Sequence, residues 1–297
     1  YLLYLIPLSF LFNLSLNLQS VPLGIIGLSY AVAAFPTLTK SYSLGKTEEF
    51  KDHLKSAARA IIFWSLPITF LFIVLRAQIV RVILGSGSFS WEDTRLVAAS
   101  LALFSISVVA QGLIALFARA YYAVGNTYLP LKINLISSIS IVLFSGLFLY
   151  IYQHFPFLKY FIESLLKVSD ISRSQVLMLP LAYSLGTIIN FILLSISIKR
   201  DFMPKEPFIS KTFFQSLSAS FFIGVITYLS LKLFSPIFGT ITFWGVFLQG
   251  FISGILGILA GILVLYLFKN EELKDLVKTL KTKFWYSKTI NPIQDGL

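Results

Sequence analysis

The sequence predicts an all-α integral membrane protein of about seven transmembrane helices, and three observations lead there. Of 297 residues 57% are hydrophobic and only 12% charged, with a mean hydropathy of +0.83, more apolar surface than a soluble core can bury. The apolar residues form runs of membrane length, residues 96–118 and 131–152 among them; about 20 residues suffice to cross some 30 Å of hydrocarbon. The charges collect between the runs. A net charge of +11 placed in this way points to anionic membrane lipids as a partner and away from nucleic acid. Without cysteine, and with its two histidines, His53 and His154, far apart, the chain offers no thiolate, disulfide or metal cluster. No cofactor, metal or enzymatic activity is expected.

Residues 1–39 are apolar but interrupted at Pro7 and Pro22, predicting a broken or kinked helix whose second part runs over 21–38. In the polar connection 40–59, Thr47 is placed to cap a helix with Glu48 and Glu49 in its first turn, where the helix dipole favours them. A span over 60–75 follows, kinked at Pro67. Ser90 and Asp93 read as a capping box opening the 96–118 span. After the 131–152 span, residues 153–173 hold an amphipathic piece with Phe157, Phe161, Ile162, Leu165 and Leu166 on one side, expected to lie on the membrane surface. A span over 174–198, a loop with Pro204 and Pro207, and a hairpin of two spans over 212–231 and 241–268 complete the membrane part. Asn270 then caps a Lys-rich amphipathic helix over 271–285, also expected on a membrane surface. We divide the chain into a lobe at 1–199, a terminal helix pair at 200–268 and a basic tail at 269–297. If the spans alternate, 17 of the 24 Lys and Arg residues fall on one side, which places that side, and the C-terminus, in the cytoplasm.

The corner between the third and fourth spans carries most of the chain's identity. Residues 118–130 read ARAYYAVGNTYLP. Gly125 and Asn126 supply a turn, Thr127 follows it, and Pro130 opens the next helix where its missing N–H costs nothing. Arg119, Tyr121 and Tyr122 suit the headgroup layer, with rings and cation partly wet. This stretch resembles the corner of the lipid II flippases of the MurJ/MviN family, within the MOP exporter superfamily. Two other stretches agree in order and spacing: Pro22, Gly24 and Gly27 followed by Pro36, and the loop GSFSWEDT over 87–94. The resemblance implies the C-terminal half of a transporter of about fourteen helices in the bacterial cytoplasmic membrane. It implies alternating-access movement of a lipid-linked glycan precursor, a polyprenyl diphosphate, with an N-terminal lobe as partner. The alternatives are another polysaccharide-lipid exporter of the superfamily and a diverged membrane scaffold that does not transport.

All 13 acidic residues lie in connections or the tail, so the spans contain no buried charge of the kind that marks a transport path. Where the family's charged cavity pattern would fall, this chain has Leu16, Asn17 and Ser20; where its cation site would fall, it has Ile141 and Ser145. The best polar candidates are Asn13, Asn17, Gln19 and Ser20, clustered beside Pro22 as a discontinuous, cavity-lining helix would have them. Gln111, Asn134, Ser184 and Asn190 are expected to bond between helices. Arg119 is read as an interfacial anchor, with an anionic headgroup as its second possible partner. Gly250, Gly254, Gly257 and Gly261 share one helix face, suited to close packing or, by the resemblance, to a lipid groove beside Phe247 and Phe251.

Overall fold

The computed structural model describes residues 2–85, 90–171, 173–203, 210–239 and 242–285. No strand occurs among them, as hydrocarbon requires of a chain that must satisfy its backbone internally. Twelve α-helices follow one another: α1 (Leu2–Pro22), a π-helical turn (Leu23–Leu28), α2 (Ser29–Ser43), α3 (Thr47–Val74), α4 (Arg76–Leu84), α5 (Trp91–Ser105), α6 (Val108–Ala123), α7 (Tyr128–His154), α8 (Pro156–Leu166), α9 (Met178–Phe202) after a 3-10 turn (Ser174–Leu177), α10 (Ser210–Phe238), α11 (Phe243–Leu267) and α12 (Glu271–Trp285). Among the described residues six helical stretches are long and apolar enough to cross a membrane, and α5 with α6, bent by 44°, makes a seventh if the pair crosses as one span.

Four local expectations change. The first span is not broken at its prolines: helix continues from residue 2 to 43, and the strain after Pro22 is taken up by one wide turn, where Ser29 Oγ donates to the carbonyl of Gly24 at 3.0 Å. Residues 96–118 are not one straight helix. The bend falls at Ile106 and Ser107, where Ser107 Oγ caps the carbonyl of Phe104 at 2.8 Å. Thr47 is the first residue of α3 rather than its cap, which is Lys46. In α8 the apolar side is divided: Ile162 and Leu166 are buried while Phe157, Phe161 and Leu165 stand exposed. The capping reading at α5 holds, with Ser90 Oγ accepting from the Asp93 N–H at 3.1 Å. The family-like loop residues 87–89 lie outside the described residues, as do the prolines at 204 and 207.

The core is a helical sandwich. α2, α3 and α6 pack on one another, α6 and α5 lie against α9, and α7 covers α9 from outside. At the end carrying the 124–127 corner, Phe50, Leu54, Ile61, Leu116, Phe117 and Ile198 fill the interior; at the far end Leu96, Leu101, Leu166, Val168 and Leu177 do so. The π-helical turn and α6 meet backbone to backbone, because a Cβ on Gly27 would lie 2.7 Å from Gly112 Cα, and one on Gly112 would lie 3.0 Å from an Ile61 methyl. α10 packs along α3, and α11 along α10 and against α4. Four of the five glycines of α11 make this second interface: methyls at Gly250 and Gly254 would lie 3.1 Å from Gln78 and 3.4 Å from Leu75, while Gly257 and Gly261 are held against Thr227 and Ile223 of α10.

The glycine contact yields a paired test. Gly27→Ala should destabilise the protein by about 1–3 kcal/mol, the usual cost of overpacking, and lower its melting temperature in detergent. Gly24→Ala, with nothing within 4 Å of the added methyl, should leave the melting temperature within error.

Candidate functional site

On α1 the successive positions Asn13, Asn17 and Ser20 lie within about 60° of one another at 100° per residue, so they form one stripe, with Gly24 following in the π-helical turn. The structure leaves Asn13, Asn17 and Ser20 exposed on it, pointing away from α5, against which α1 packs. Ser20 Oγ is spent on its own helix, donating to the Asn17 carbonyl at 2.7 Å, so the free polar groups of the stripe are two carboxamides. Gln19 leaves this set. It falls on the opposite face, 1% exposed, with its Nε2 lacking a partner among the described residues. Sequence proximity had joined residues that the helical twist separates. Pro22 and Gly27 are buried beside it, and Pro36 sits within α2, so these motif residues shape the helix and its packing.

The corner is built as its turn residues require. Gly125 adopts φ +78°, and Asn126 Oδ1 accepts from the Leu129 N–H at 3.2 Å, opening α7. Thr127 precedes that helix and Pro130 is buried in its first turn. The two tyrosines part company. Tyr122 is exposed, but Tyr121 is 1% exposed, packed against Phe202, whose ring also meets Phe50, and donates to Asp201 Oδ2 at 2.8 Å. Tyr121 is therefore no headgroup residue: its hydroxyl ties the corner to the end of α9, and Asp201, 80 positions away, is a partner no local pattern could reveal. Arg119 folds back on its own helix, donating to the Ala115 carbonyl at 3.0 Å.

Of the polar residues expected to bridge between spans, Asn134, Asn190 and Ser184 do so, whereas Gln111 bonds within its own helix. Asn190 Nδ2 donates to Asn134 Oδ1 at 2.6 Å, Ser184 Oγ to the Leu103 carbonyl at 2.7 Å, and Gln111 Nε2 to Ser107 Oγ at 2.8 Å, beside the bend. Ser145 bonds to the carbonyl of Ile141, whose side chain fills the space over Gly186. Far from the corner, the connection after α8 is clasped to the start of α5. Arg95 holds Asp170 through both carboxylate oxygens, at 2.6 and 2.7 Å, and bonds to the Lys167 carbonyl, while Arg173 reaches Asp93 at 3.0 Å. The hydrogen bonds from Arg95 hold the Asp170 carboxyl below the usual carboxylate range. Beneath the clasp the buried Glu163 accepts from Tyr152 at 2.5 Å and Ser174 at 2.8 Å. On the terminal pair, Phe243, Phe247 and Phe251 stack in a row, with centroids 6.3 and 5.7 Å apart. Asn270 caps α12 by accepting from the Leu273 N–H at 3.0 Å and donates to Gln215 at 2.8 Å. The first turn of the tail helix is thus fastened to α10.

A family model described as lipid II flippase MurJ matches residues 9–248. The chain belongs to the lipid II flippase MurJ family. A relative from Rickettsia prowazekii (strain Madrid E), described as a probable lipid II flippase MurJ, is 33% identical over 123 residues, 41% of this chain and 24% of the relative. One from Thermotoga maritima with the same description is 30% identical over 128 residues, 43% of this chain and 26% of the relative. A solved lipid II flippase MurJ in an inward closed conformation has the same fold, with a TM-score of 0.65 and 20% identity; the match covers 90% of this chain and 47% of that one. The chain thus corresponds to less than half the length of the solved MurJ structure it matches. The six or seven apolar stretches of membrane length among the described residues accord with membership of this multi-pass family.

The tyrosine pair gives a direct test of the corner. Tyr121→Phe removes a buried bond to a carboxylate and should cost about 1–2 kcal/mol, read as a lower melting temperature. Tyr122→Phe should change nothing measurable.

Proposed function

We propose that this chain forms the C-terminal lobe and terminal helix pair of a lipid II flippase, acting with an N-terminal lobe to move a polyprenyl-diphosphate-linked glycan precursor outward across the bacterial cytoplasmic membrane. Membership of the MurJ family supports the reading, and the observation that carries it is the stripe on α1. Exposed carboxamides at Asn13 and Asn17 on a membrane span are costly against hydrocarbon and fit a face that lines a water-containing cavity. The residues of the stripe then divide the work. Asn13 and Asn17 donate N–H groups to a diphosphate, Ser20 keeps the backbone satisfied after its own bond, and Gly24 leaves room at the wide turn. Neutral donors hold an anion about half as strongly as charged ones, so the fixed cations for the diphosphate come from the other lobe.

The excess of Lys and Arg at the corner end supports an orientation with that end, Arg119 and the C-terminus in the cytoplasm. In that orientation Arg119 anchors the corner at the cytoplasmic headgroups. The stacked ridge of Phe243, Phe247 and Phe251 beside the packed glycine face offers an apolar track for the polyprenyl tail. The three segments of the chain then act as lobe, terminal pair and basic tail.

In the protein carrying both lobes, Asn17→Asp places a negative charge against the diphosphate and should lower precursor translocation by about tenfold or more, about 1.4 kcal/mol per decade. Asn17→Gln, which keeps the donor, should retain most of the rate. Translocation by Asn17→Asp at the unmodified rate would move the substrate away from this stripe.

A further inference from the structure

A lateral groove of about 690 Å³ runs between α9 and α10 over a floor of α3 and α6. Leu66 and Phe70, Val109, Ile188 and Ile192, and Phe213 represent the four helices in its wall, and the only polar lining side chains are the hydroxyls of Thr69 and Ser195. The bend between α5 and α6 helps to form it, since Ile106 at the bend lies on its edge. Ile106, Ile192, Ile196 and Phe213 are all exposed at the rim, so the groove opens sideways among spanning helices, where hydrocarbon chains are the surrounding medium. No residue of α1, α7, α11 or α12 lines it. It is separate from both the α1 stripe and the aromatic ridge of α11.

Its chemistry names an occupant. Along α3 the lining runs from Ile62 to Ile73, about 17 Å at ~1.5 Å per residue, enough for most of one acyl chain. On α9 the lining positions 188, 192, 195 and 196 form a stripe whose next turn toward the corner end carries Lys199, within about 20° of the stripe's centre by helical twist. Lys199 is exposed and makes no ion pair among the described residues. Its neighbours are already engaged: Arg200 with Asp201 at 2.7 Å and Lys211 with Glu271 at 3.3 Å. An apolar slot of acyl-chain length ending at an uncommitted cation complements an amphiphile with an anionic head.

We propose that the groove between α9 and α10 is a binding site for an anionic phospholipid of the leaflet at the corner end, one acyl chain lying against α3 and α6 and the phosphate at Lys199. The site does not depend on the transport reading, since it needs only the lobe and α10. Native mass spectrometry of the purified chain with dioleoyl phosphatidylglycerol or dioleoyl phosphatidylcholine separates head from tail. Phosphatidylglycerol should be retained about fivefold more strongly than phosphatidylcholine, the effect of one lysine near an anionic head. Lys199→Ala should remove that preference, Lys199→Arg should keep it, and Lys232→Ala, at the opposite end of α10, should leave it unchanged. Ile192→Trp, which narrows the slot, should weaken both lipids alike; if that variant does not fold, the lysine pair still decides. Unchanged phosphatidylglycerol retention by Lys199→Ala, or equal losses in Lys199→Ala and Lys232→Ala, would overturn the proposal.

Discussion

The contact of Gly27 with Gly112 is the constraint on which the lobe depends. Water drives little helix association inside a bilayer, so close van der Waals packing and interhelical hydrogen bonds must hold spans together. Two glycines facing each other let the wide turn after Pro22 touch α6, with Ile61 of α3 closing over the pair. Three helices are thereby fixed at one point. Because that point lies on the buried face of the first span, the opposite face of α1 is turned outward, and with it Asn13 and Asn17.

Around this point the polar groups of the spans are mostly used up. Serines along the helices bond to carbonyls three or four residues back, as Ser15 does to Leu11 and Ser105 to Leu101, which hides a hydroxyl from lipid without linking helices. The bonds that do cross, Asn190 to Asn134 and Ser184 to Leu103, tie α9 to α7 and α5. Tyr121 with Asp201 secures the corner end, and the Arg95 and Arg173 clasp secures the other. A few buried groups, Gln19 Nε2 and Ser65 Oγ among them, have no partner among the described residues; the carboxamides of Asn13 and Asn17 differ from these in standing exposed.

Much of this was readable from the residues. Run length and charge placement located the spans, Ser90 and Asn270 announced their helices, and Gly125 with Asn126 marked the corner. Asn134, Asn190 and Ser184 were expected to bond between helices and do so, while Gln111 bonds locally to Ser107. What was not readable depends on partners distant in sequence. Tyr121 and Tyr122 are identical and adjacent, and only the arrival of Asp201 and Phe202 from α9 decides which is buried. Gln19 joined the polar cluster by nearness alone, although 100° per residue already placed it off the stripe. The bend at Ile106 has no proline or glycine within five residues on either side, so nothing local signals it; Ser105 and Ser107, bonding back to carbonyls, are its only trace. The π-helical turn likewise answers a tertiary demand, the approach of α6.

The central claim is that the Asn13, Asn17 and Ser20 face of α1 borders a water-containing cavity in the assembled transporter, whereas the equally exposed apolar face of α7 borders lipid. Single cysteines at Asn17 and at Val142, which is 71% exposed in the lobe, distinguish the two in native membranes of the two-lobed protein. The account predicts that a water-soluble maleimide labels the cysteine at Asn17 and leaves that at Val142 unreacted. Failure to label at Asn17 from either side of the membrane, or equal labelling at both positions, would contradict it.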